Sequence, residues 1–310
     1  MKVFLDNYSG HATCKRQMPY WKKMGVTATS NLGGSNVHLA NVRTSRPHGV
    51  PIIQRLDGIY YDSDTAYNQR NTQISATHAF AAGIIYQSEY CKMAGEYYLK
   101  KRKGPHRVIY NGIEPGWAGK RDPSDVPTIV VSAKWRRHKR LPEILKLFAD
   151  FKTIFPQAEL LVMGDLRGSP RPDSVRGVRY LGHIDHKQMR QYFKSSWFSI
   201  HLSKRDACPN STVEAIGAGV PVITTDACGG GTEMVEMTPG CLVVKGDAWN
   251  IKPAPHYRNK YNVLDKQLHN RILKAMVTLT ENGPQTVTPP EQLTAKYMAE
   301  QYVSFMRSLI

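Results

Sequence analysis

The stretch "CPNSTVEAIGAGVPVITT", residues 208–225, joins a proline turn to a short helix and then to a buried strand. Ser211 and Glu214 fit a capping box, in which the glutamate reaches back to the backbone N–H of the cap residue. Two glycines let the helix end and pack closely, and the apolar run 220–225 predicts a strand. Because a helix N-terminus beside such a strand favours anions, the stretch predicts either simple capping or a phosphate site.

Short apolar runs alternate with helical patterns along the whole chain, which predicts α/β layers with parallel sheets. In the first part the predicted strands are 2–6, 37–40, 51–56, 83–87 and 107–110. In the second part they are 128–132, 158–163, 178–181, 197–202 and 220–225. We therefore expect two Rossmann-like, doubly wound domains, with ligands bound in a cleft beyond the carboxyl ends of the strands.

The length of 310 residues exceeds what one hydrophobic core usually serves, so two domains are expected. Residues 111–127, "NGIEPGWAGKRDPSDVP", are rich in Gly, Pro and Asp and lack periodicity, as is typical of an interdomain linker. The predicted division is an N-terminal domain at 1–115 and a C-terminal domain at 116–285. A last helical segment, 286–310, is expected to pack back toward the N-terminal domain.

The chain is strongly basic, with 42 lysines and arginines against 25 acidic residues, a formal net charge of +17. Such an excess predicts an anionic partner. Aromatic residues lie within the basic clusters "YWKKM" at 20–24, "KWRRHKR" at 134–140 and "HYRNKY" at 256–261. This mixture suits nucleic acid, where cations neutralise phosphates and rings stack on bases, and it suits an anionic membrane surface equally well.

The five cysteines lie far apart and never form a CxxC pair, which predicts reduced thiols rather than disulfides or a zinc site. No apolar run is long enough to span a bilayer, and Asp6 stands where a signal peptide would continue its apolar core. We therefore expect a cytoplasmic protein without a signal peptide or a transmembrane segment.

The residues around 208–225 resemble the glycosyltransferases of family 4, which have the GT-B architecture of two Rossmann-like domains around a cleft. The family pattern is an acidic residue, seven others, a glutamate that opens "EAxAxGxPVI", then a double glycine and another glutamate. It reads here as Asp206, then Glu214 with "AIGAGVPVI", then Gly229–Gly231 and Glu233. "VIYNGI" at 108–113, "SAKWRRHKR" at 132–140 and the segment 180–203 follow the family order. The resemblance covers 105–245 well and is thinner before residue 105.

The resemblance implies a role for each matched residue in the second domain. Glu214 would accept hydrogen bonds from the ribose hydroxyls of a nucleotide sugar. Lys134 and Lys139 would stabilise the charge that develops on the leaving diphosphate. Asp206 would contact the donor sugar, and since it is shorter than the family's glutamate it leaves the identity of the sugar open. Further donor contacts are expected from Pro209, Ser211 and Thr212 at the helix N-terminus, from His183 and Ile184 beside the base, and from Asn111 and Gly112.

Asp57 falls where many members of the family carry a histidine after a strand of the first domain. It would orient the sugar or activate the acceptor, and Arg55 could pair with it. A structural aspartate in a turn before Gly58 is the alternative interpretation. Asp62 and Asp64 match a metal-binding DxD motif of the other glycosyltransferase fold, but an isolated three-residue match is weak.

The resemblance implies a hexosyltransferase that retains the anomeric configuration, uses a nucleotide diphosphate sugar and needs no metal. UDP-glucose is the expected donor, as a co-substrate rather than a cofactor. The first domain would bind the acceptor. A compact basic enzyme of this kind looks similar to small glycosyltransferases encoded by viruses, some of which glycosylate hydroxymethylated pyrimidines in DNA; the site of action would then be the host cytoplasm.

The expected acceptor is therefore 5-hydroxymethylcytosine in DNA, contacted by Tyr8, Lys22, Lys23 and Arg55. A lipid-linked or surface glycan at an anionic membrane is the alternative acceptor. A nucleic-acid-binding protein that keeps the fold without catalysis is an alternative of another class. Pro19 argues against a continuous membrane-surface helix over 11–24, which favours DNA.

Overall fold

The computed structural model describes residues 1–6, 12–45, 47–166, 175–248, 250–255 and 259–310. The chain divides into two compact units. Unit 1 consists of Met1–Pro115, Ile251–Ala254 and Glu291–Ile310, and unit 2 consists of Gly116–Asn250 and Pro255–Pro290. Each unit is built on a six-stranded parallel sheet. The prediction of two doubly wound α/β domains is thereby confirmed.

The sheet of unit 1 has the strand order β2-β1-β3-β4-β5-β6. Its strands are β1 (Lys2–Phe4), β2 (Thr27–Thr29), β3 (Val37–Asn41), β4 (Ile52–Leu56), β5 (Gly83–Tyr86) and β6 (His106–Val108). Its first three helices are α1 (Ala12–Lys23), α2 (Tyr67–Phe80) and α3 (Glu89–Leu99). The sequence did not predict β2, because this three-residue edge strand has an exposed Thr27 and half-buried Ala28 and Thr29 instead of an apolar run.

The sheet of unit 2 has the order β12-β11-β10-β7-β8-β9. Its strands are β7 (Thr128–Ser132), β8 (Glu159–Met163), β9 (Val178–Gly182), β10 (Phe198–His201), β11 (Val222–Thr225) and β12 (Leu242–Val244). Its helices are α4 (Leu141–Ile154), α5 (His186–Ser195), α6 (Asn210–Gly217), α7 (Gly230–Glu236), α8 (Asn259–Asn262) and α9 (Lys266–Glu281). The strand order reverses between β10 and β7, and ligands of open α/β sheets bind beyond the carboxyl ends of the strands at such a point.

The last helix, α10 (Ala295–Arg307), belongs to unit 1. Met298, Tyr302 and Met306 of this helix are completely buried in the core that also contains Trp21. Gln54 and Arg55 are neighbours in β4, so their side chains point to opposite faces of the sheet. One face packs against α2, where the Gln54 amide donates to a backbone carbonyl, and the other packs against α1 and α10.

Helix α1 runs through Pro19 without a break, which corrects the expectation that this proline interrupts the helix. A proline inside a helix removes one backbone hydrogen bond. The opposite side of α1 compensates, since Cys14, Gln17 and Trp21 are buried in unit 1. Packing of one face thus outweighs the local preference.

The predicted strands differ from the observed ones by at most two residues at either end. The sequence missed α7 and β12, because α7 begins at two glycines and β12 has only three residues. All five cysteines are free thiols, four of them buried, as predicted. None of the helices within the described ranges is long and apolar enough to cross a membrane.

Candidate active site

The carboxyl ends of β7 and β10 lie side by side where the strand order of unit 2 reverses. The loop after β7 carries Lys134 and then a single helical turn, Arg137–Lys139. The loop after β10 carries Asp206 and leads into α6, where Glu214 lies. These four residues therefore follow adjacent strands of the sheet, at the place where the fold class predicts a ligand.

Lys139 and Asp206 form an ion pair, in which the Lys139 Nζ donates to Oδ2 of Asp206. Each of the two side chains is 18% exposed. Burial alone would raise the pKa of Asp206, but the charge of Lys139 and the approach of His201 outweigh it and hold that pKa below its ordinary range. Asp206 is therefore ionised at neutral pH.

Backbone hydrogen bonds to the glycine segment 229–231 fix the position of Asp206. The Asp206 N–H donates to the Cys228 carbonyl at 2.8 Å, and the Gly230 N–H donates to the Asp206 carbonyl at 2.9 Å. A Cβ atom on Gly231 would lie 2.3 Å from Cys228 Sγ and 3.0 Å from Pro209 Cγ. The glycine segment of the family pattern thus allows two loops to approach each other closely.

Helix α6 begins at Asn210, directly after Pro209, and no side chain caps it. The capping box predicted for Ser211 is therefore wrong: Ser211 lies inside the helix, and its hydroxyl instead contacts Nδ1 of His201 at 3.2 Å. The backbone N–H of Thr212 donates to the Pro209 carbonyl at 3.1 Å, so it is not free for a phosphate as expected. The cap position is taken by proline, whose ring offers no side-chain acceptor.

Glu214 is 7% exposed, in the middle of α6. The N-terminal residues of α6, where the helix dipole favours negative charge, lie one turn before Glu214. The Thr212 hydroxyl is also buried and has no hydrogen-bond partner among the residues that the structure describes. A buried hydroxyl without a partner costs about 1–3 kcal/mol, which a polar ligand atom would recover.

Lys134 is exposed, on a loop that is held firmly on both sides. The Trp135 N–H donates to the Asp165 carbonyl at 3.0 Å, and the Trp135 ring N–H donates to the Met163 carbonyl at 2.9 Å. Gly164, with φ +102°, lies so close that a Cβ atom there would be 1.9 Å from the Ala133 carbonyl oxygen. Gly164 was not predicted from the sequence, although its position directly after a strand was a signal.

His183 and Ile184 follow β9, the edge strand of the sheet. His183 is exposed and Ile184 is half-buried. The next residue, Asp185, caps α5 by accepting the Gln188 N–H at 2.8 Å. The structure thus places this pair at the same end of the sheet as Asp206, but on a strand that is separated from β7 by β8.

In unit 1, Arg55 is a buried structural residue and not the acceptor contact that the sequence suggested. It is 3% exposed, and its N–H groups donate to four side chains and face a fifth. The acceptors are Tyr302 at 3.1 Å, Asn41 at 2.9 Å, Thr13 at 3.1 Å and Asn111 at 3.1 Å, and the Asp57 carboxylate lies 3.6 Å away. A guanidinium has five N–H donors, of which four are bonded within unit 1 while the Asp57 carboxylate faces the guanidinium as an ion-pair partner.

Asp57 follows β4 and is about half exposed, at 52% of its side chain. Gln87 donates to Oδ1 of Asp57 at 2.5 Å and also to the Leu56 carbonyl at 3.1 Å. Together with Arg55, as predicted, Gln87 orients the carboxylate while one edge stays open. Gln87 directly follows the buried strand β5. This position was a signal in the sequence, but Gln87 was not predicted.

Asn111 and Gly112, predicted as donor contacts, both pack within unit 1. Asn111 is buried and accepts from Arg55. The Gly112 N–H donates to Met298 Sδ at 3.2 Å, and a Cβ atom on Gly112 would lie 2.3 Å from the Thr294 carbonyl oxygen. This close approach to the start of α10 accounts for the glycine without a ligand.

The other predicted acceptor residues lie at the end of α1 or outside the description. Lys22 and Lys23 are exposed in the last turn of α1. Tyr8 lies outside the described residues. Beside Lys23 there is a groove of about 310 Å³, lined by Lys15, Arg16, Pro19, Tyr20, Lys23, Glu114 and Pro115.

Asp62 and Asp64 form a turn, in which Oδ1 of Asp62 accepts the Asp64 N–H at 2.9 Å. Asp62 is buried and its backbone pairs with Ala254. Within the described ranges, no group of three or more His, Cys, Asp or Glu side chains is arranged to hold a metal ion. The DxD match therefore has a structural explanation.

The segment that carries this site in unit 2 has a known counterpart at the level of sequence. Residues 118–253 match the protein family "Glycosyl transferases group 1". The match includes β7 to β12, and with them Lys134, Lys139, Asp206 and Glu214. No curated protein sequence matches the chain.

Solved glycosyltransferase structures share the fold of the whole chain. The crystal structure of Anabaena Alr3699/HepE in complex with UDP-glucose aligns with a TM-score of 0.64 and 15% identity, covering 99% of this chain and 97% of that one. A glycosyltransferase from Rickettsia africae ESF-5 aligns with a TM-score of 0.62 and 13% identity, covering 99% and 97%. The GtfA/B complex aligns with a TM-score of 0.62 and 11% identity over 88% of this chain, which spans only 57% of that chain. The predicted GT-B fold class is thereby confirmed.

Proposed function

We propose that the protein is a retaining hexosyltransferase that transfers a sugar from a UDP-sugar to a hydroxyl group. The observation that carries the proposal is the arrangement at the strand reversal of unit 2, where the Lys139–Asp206 ion pair stands beside α6 with its buried Glu214. The match of residues 118–253 to glycosyl transferases group 1 supports it. UDP-glucose is the donor we propose, since a protein of the same fold was crystallised with it.

Each residue has a role that suits its place. Glu214 accepts the ribose hydroxyls of the donor. The diphosphate contacts Lys134, Lys139 and the N-terminus of α6, which runs from Pro209 through Ser211. Its negative charge grows as the bond to the sugar breaks. Asp206, which is ionised and largely buried, accepts hydrogen bonds from hydroxyl groups of the sugar.

Two further groups complete the proposed donor site and reaction. His183 and Ile184 flank the base, with the exposed imidazole and the half-buried side chain at one end of the sheet. Asp57 orients the sugar or activates the acceptor hydroxyl, since Arg55 and Gln87 hold its carboxylate with one edge open. Asp57 would act as base only in a complex that brings the acceptor oxygen within hydrogen-bond distance.

We propose that the two lysines and the α6 N-terminus neutralise the diphosphate without a metal ion. Activity should then persist in EDTA, and added Mg²⁺ or Mn²⁺ should not raise kcat. A complete loss of activity in EDTA that Mn²⁺ restores would contradict this part of the proposal.

The donor site is tested by replacing Glu214 with alanine and measuring donor turnover as release of UDP. We expect a loss of at least about 100-fold in kcat/KM, because the carboxylate no longer anchors the ribose. Glu236→Ala is the matched control: this glutamate is exposed in the same unit and pairs with Lys245 on the surface. Wild-type turnover by Glu214→Ala would refute the assignment of the site.

As acceptor we propose 5-hydroxymethylcytosine in DNA, on the strength of the basic surfaces of unit 1. Helix α1 exposes Lys15, Lys22 and Lys23, while Cys14 and Trp21 are buried and Met18 and Tyr20 are half-buried. A helix that inserts into a membrane surface buries its apolar face in lipid, whereas Cys14 and Trp21 of α1 pack into the core of unit 1. The exposed lysines of this helix suit the phosphate groups of DNA.

A second basic surface follows α3. Tyr97 is 51% exposed, and Lys100, Lys101 and Lys103 are exposed just beyond it. An exposed ring next to cations is the combination that binds nucleic acid by stacking and charge. We therefore propose that both surfaces of unit 1 contact DNA.

The acceptor is tested by incubating the protein with UDP- and GDP-sugars and either hydroxymethylcytosine-containing or plain DNA, followed by mass spectrometry of the nucleosides. We expect a hexose mass on the modified base only. Transfer to lipid-linked or surface glycan acceptors in parallel reactions, with none to DNA, would replace DNA by a membrane acceptor. DNA binding with no sugar release under any condition would indicate the non-catalytic alternative.

A further inference from the structure

His201 is the last residue of β10 and stands inside the proposed donor site without a role so far. It is 6% exposed, so its ring is enclosed by protein. Its backbone is fixed by the sheet, since it pairs with Thr224 of β11, and its carbonyl accepts the Thr224 hydroxyl at 2.6 Å. The backbone position from which the ring extends is therefore fixed, and the surrounding protein restricts the movement of the ring.

The His201 ring lies between two groups of the proposed site. Its Nδ1 is 3.2 Å from the Ser211 hydroxyl at the start of α6. Its Nε2 is 3.7 Å from Oδ2 of Asp206, at ion-pair distance rather than in a close hydrogen bond. His201 thus connects the helix that would meet the diphosphate with the carboxylate that would meet the sugar.

The protonation state of His201 determines which of its ring nitrogens donates a hydrogen bond and which accepts one. Burial lowers the pKa of His201, and Lys139 adds to this, while Asp206 opposes it. A neutral imidazole has one N–H and one lone pair. Because the Asp206 carboxylate can only accept, the N–H belongs on Nε2, and Nδ1 then accepts the Ser211 hydroxyl.

The contacts to the Asp206 carboxylate involve one of its two oxygens. Among the described residues, Lys139 and His201 both approach Oδ2, which leaves Oδ1 for the proposed sugar. In the proposed reaction Lys139 also serves the diphosphate, and its hold on Asp206 weakens when it does. His201 is then the group that keeps the carboxylate oriented.

We propose, building on the function proposed above, that His201 is a positioning residue that orients Asp206 toward the donor sugar, with its own ring held in place by the Ser211 hydroxyl. His201 itself touches neither the nucleotide nor the sugar. Its loss should therefore weaken recognition of the sugar and leave recognition of UDP intact. This split separates positioning of Asp206 from a general structural role.

The test compares His201→Leu, which removes both ring nitrogens, with His201→Gln, whose amide can still donate toward Asp206. Calorimetry gives Kd for UDP and for UDP-glucose, and UDP release gives kcat/KM for the donor. His269→Leu is the matched control: it removes another buried histidine of unit 2 that bonds an aspartate, Asp150, at 2.7 Å on the helices α9 and α4.

For His201→Leu we expect kcat/KM to fall roughly 10- to 100-fold and the affinity for UDP-glucose to fall to that for UDP, with Kd for UDP unchanged within about two-fold. His201→Gln should recover most of the loss, and His269→Leu should behave as wild type. An equal loss of UDP affinity in His201→Leu, equal damage by Leu and Gln, or no loss at all would overturn the role of His201 alone. A wild-type protein that binds neither UDP nor UDP-glucose would overturn the proposed function, and this inference with it.

Discussion

Arg55 shows at the scale of single residues how a motif position can mislead. A basic residue next to Asp57 suggests a substrate contact, but the structure gives it four side-chain acceptors inside unit 1. No sequence pattern reveals those partners, because they come from β3, α1, α10 and the loop after β6. His201 and Gln87 were missed for the same reason, whereas Asp206, Lys139 and Glu214 were predicted because they match the family pattern.

Arg55→Met is therefore expected to act on stability. It removes a buried charge and leaves the acceptors of Asn41, Thr13 and Asn111 without their donor, which should cost about 3–5 kcal/mol of unfolding free energy. Urea unfolding of the variant measures this loss. A fully stable variant with impaired acceptor binding would instead restore the sequence-based interpretation.

His78 makes the stability of the protein depend on pH. It is 1% exposed at the end of α2, and burial lowers its pKa from 6.5 to about 4. Because the pKa is lower in the folded protein, the unfolded chain takes up the proton first as the pH falls. The stabilisation is complete above pH 6.5 and is lost as the pH falls toward 4, by about 2 kcal/mol at pH 5.

His78→Asn tests this dependence, since the amide can still donate to Gln54 as Nδ1 does at 3.1 Å but does not titrate. The variant should lose about 2 kcal/mol less unfolding free energy than wild type between pH 7 and pH 5. Equal losses in the two proteins would show that His78 is not the group responsible.

At the scale of elements, the loops that follow the strands carry the residues of the proposed site, and glycines determine the path of those loops. Gly164 follows β8 and Gly182 ends β9, and both have positive φ, at +102° and +63°. Only Gly164 has a close neighbour, the Ala133 carbonyl in the loop that carries Lys134. Strand positions were predictable from apolar runs, but this contact between two loops was not.

The two glycines form a matched pair of test sites. Gly182→Ala should cost about 1 kcal/mol, the strain of a left-handed alanine, and leave donor turnover near wild type. Gly164→Ala adds a clash with the backbone of the Lys134 loop, so it should cost more and lower kcat as that loop moves. Thermal unfolding and UDP release distinguish the two, and equal behaviour would show that the Ala133 contact is relieved without consequence.

At the scale of the whole molecule, charge and chain path matter most. The net charge of +17 is carried by both parts of the sequence, so composition alone could not say which surface meets an anion. The structure separates cations bonded within the protein, such as Arg55 and Arg140, from exposed ones, such as Lys22 and Lys23.

Lys22→Glu with Lys23→Glu should weaken DNA binding and lower the slope of log K against log salt by about 2, because two phosphate contacts are lost. Lys146→Glu with Lys274→Glu is the control, since it changes net charge equally at exposed positions of unit 2. Filter binding at several salt concentrations gives both slopes. Equal weakening by the two pairs would mean that DNA senses only the total charge.

The path of the chain also determines when unit 1 can form during synthesis. Its sheet is encoded first, but α10, which buries Met298, Tyr302 and Met306 in its core, is encoded after all of unit 2. On the ribosome the apolar face that awaits α10 stays uncovered while unit 2 is made, even though domains usually fold in order as they emerge. Unit 2 is thus free to fold before unit 1 is complete.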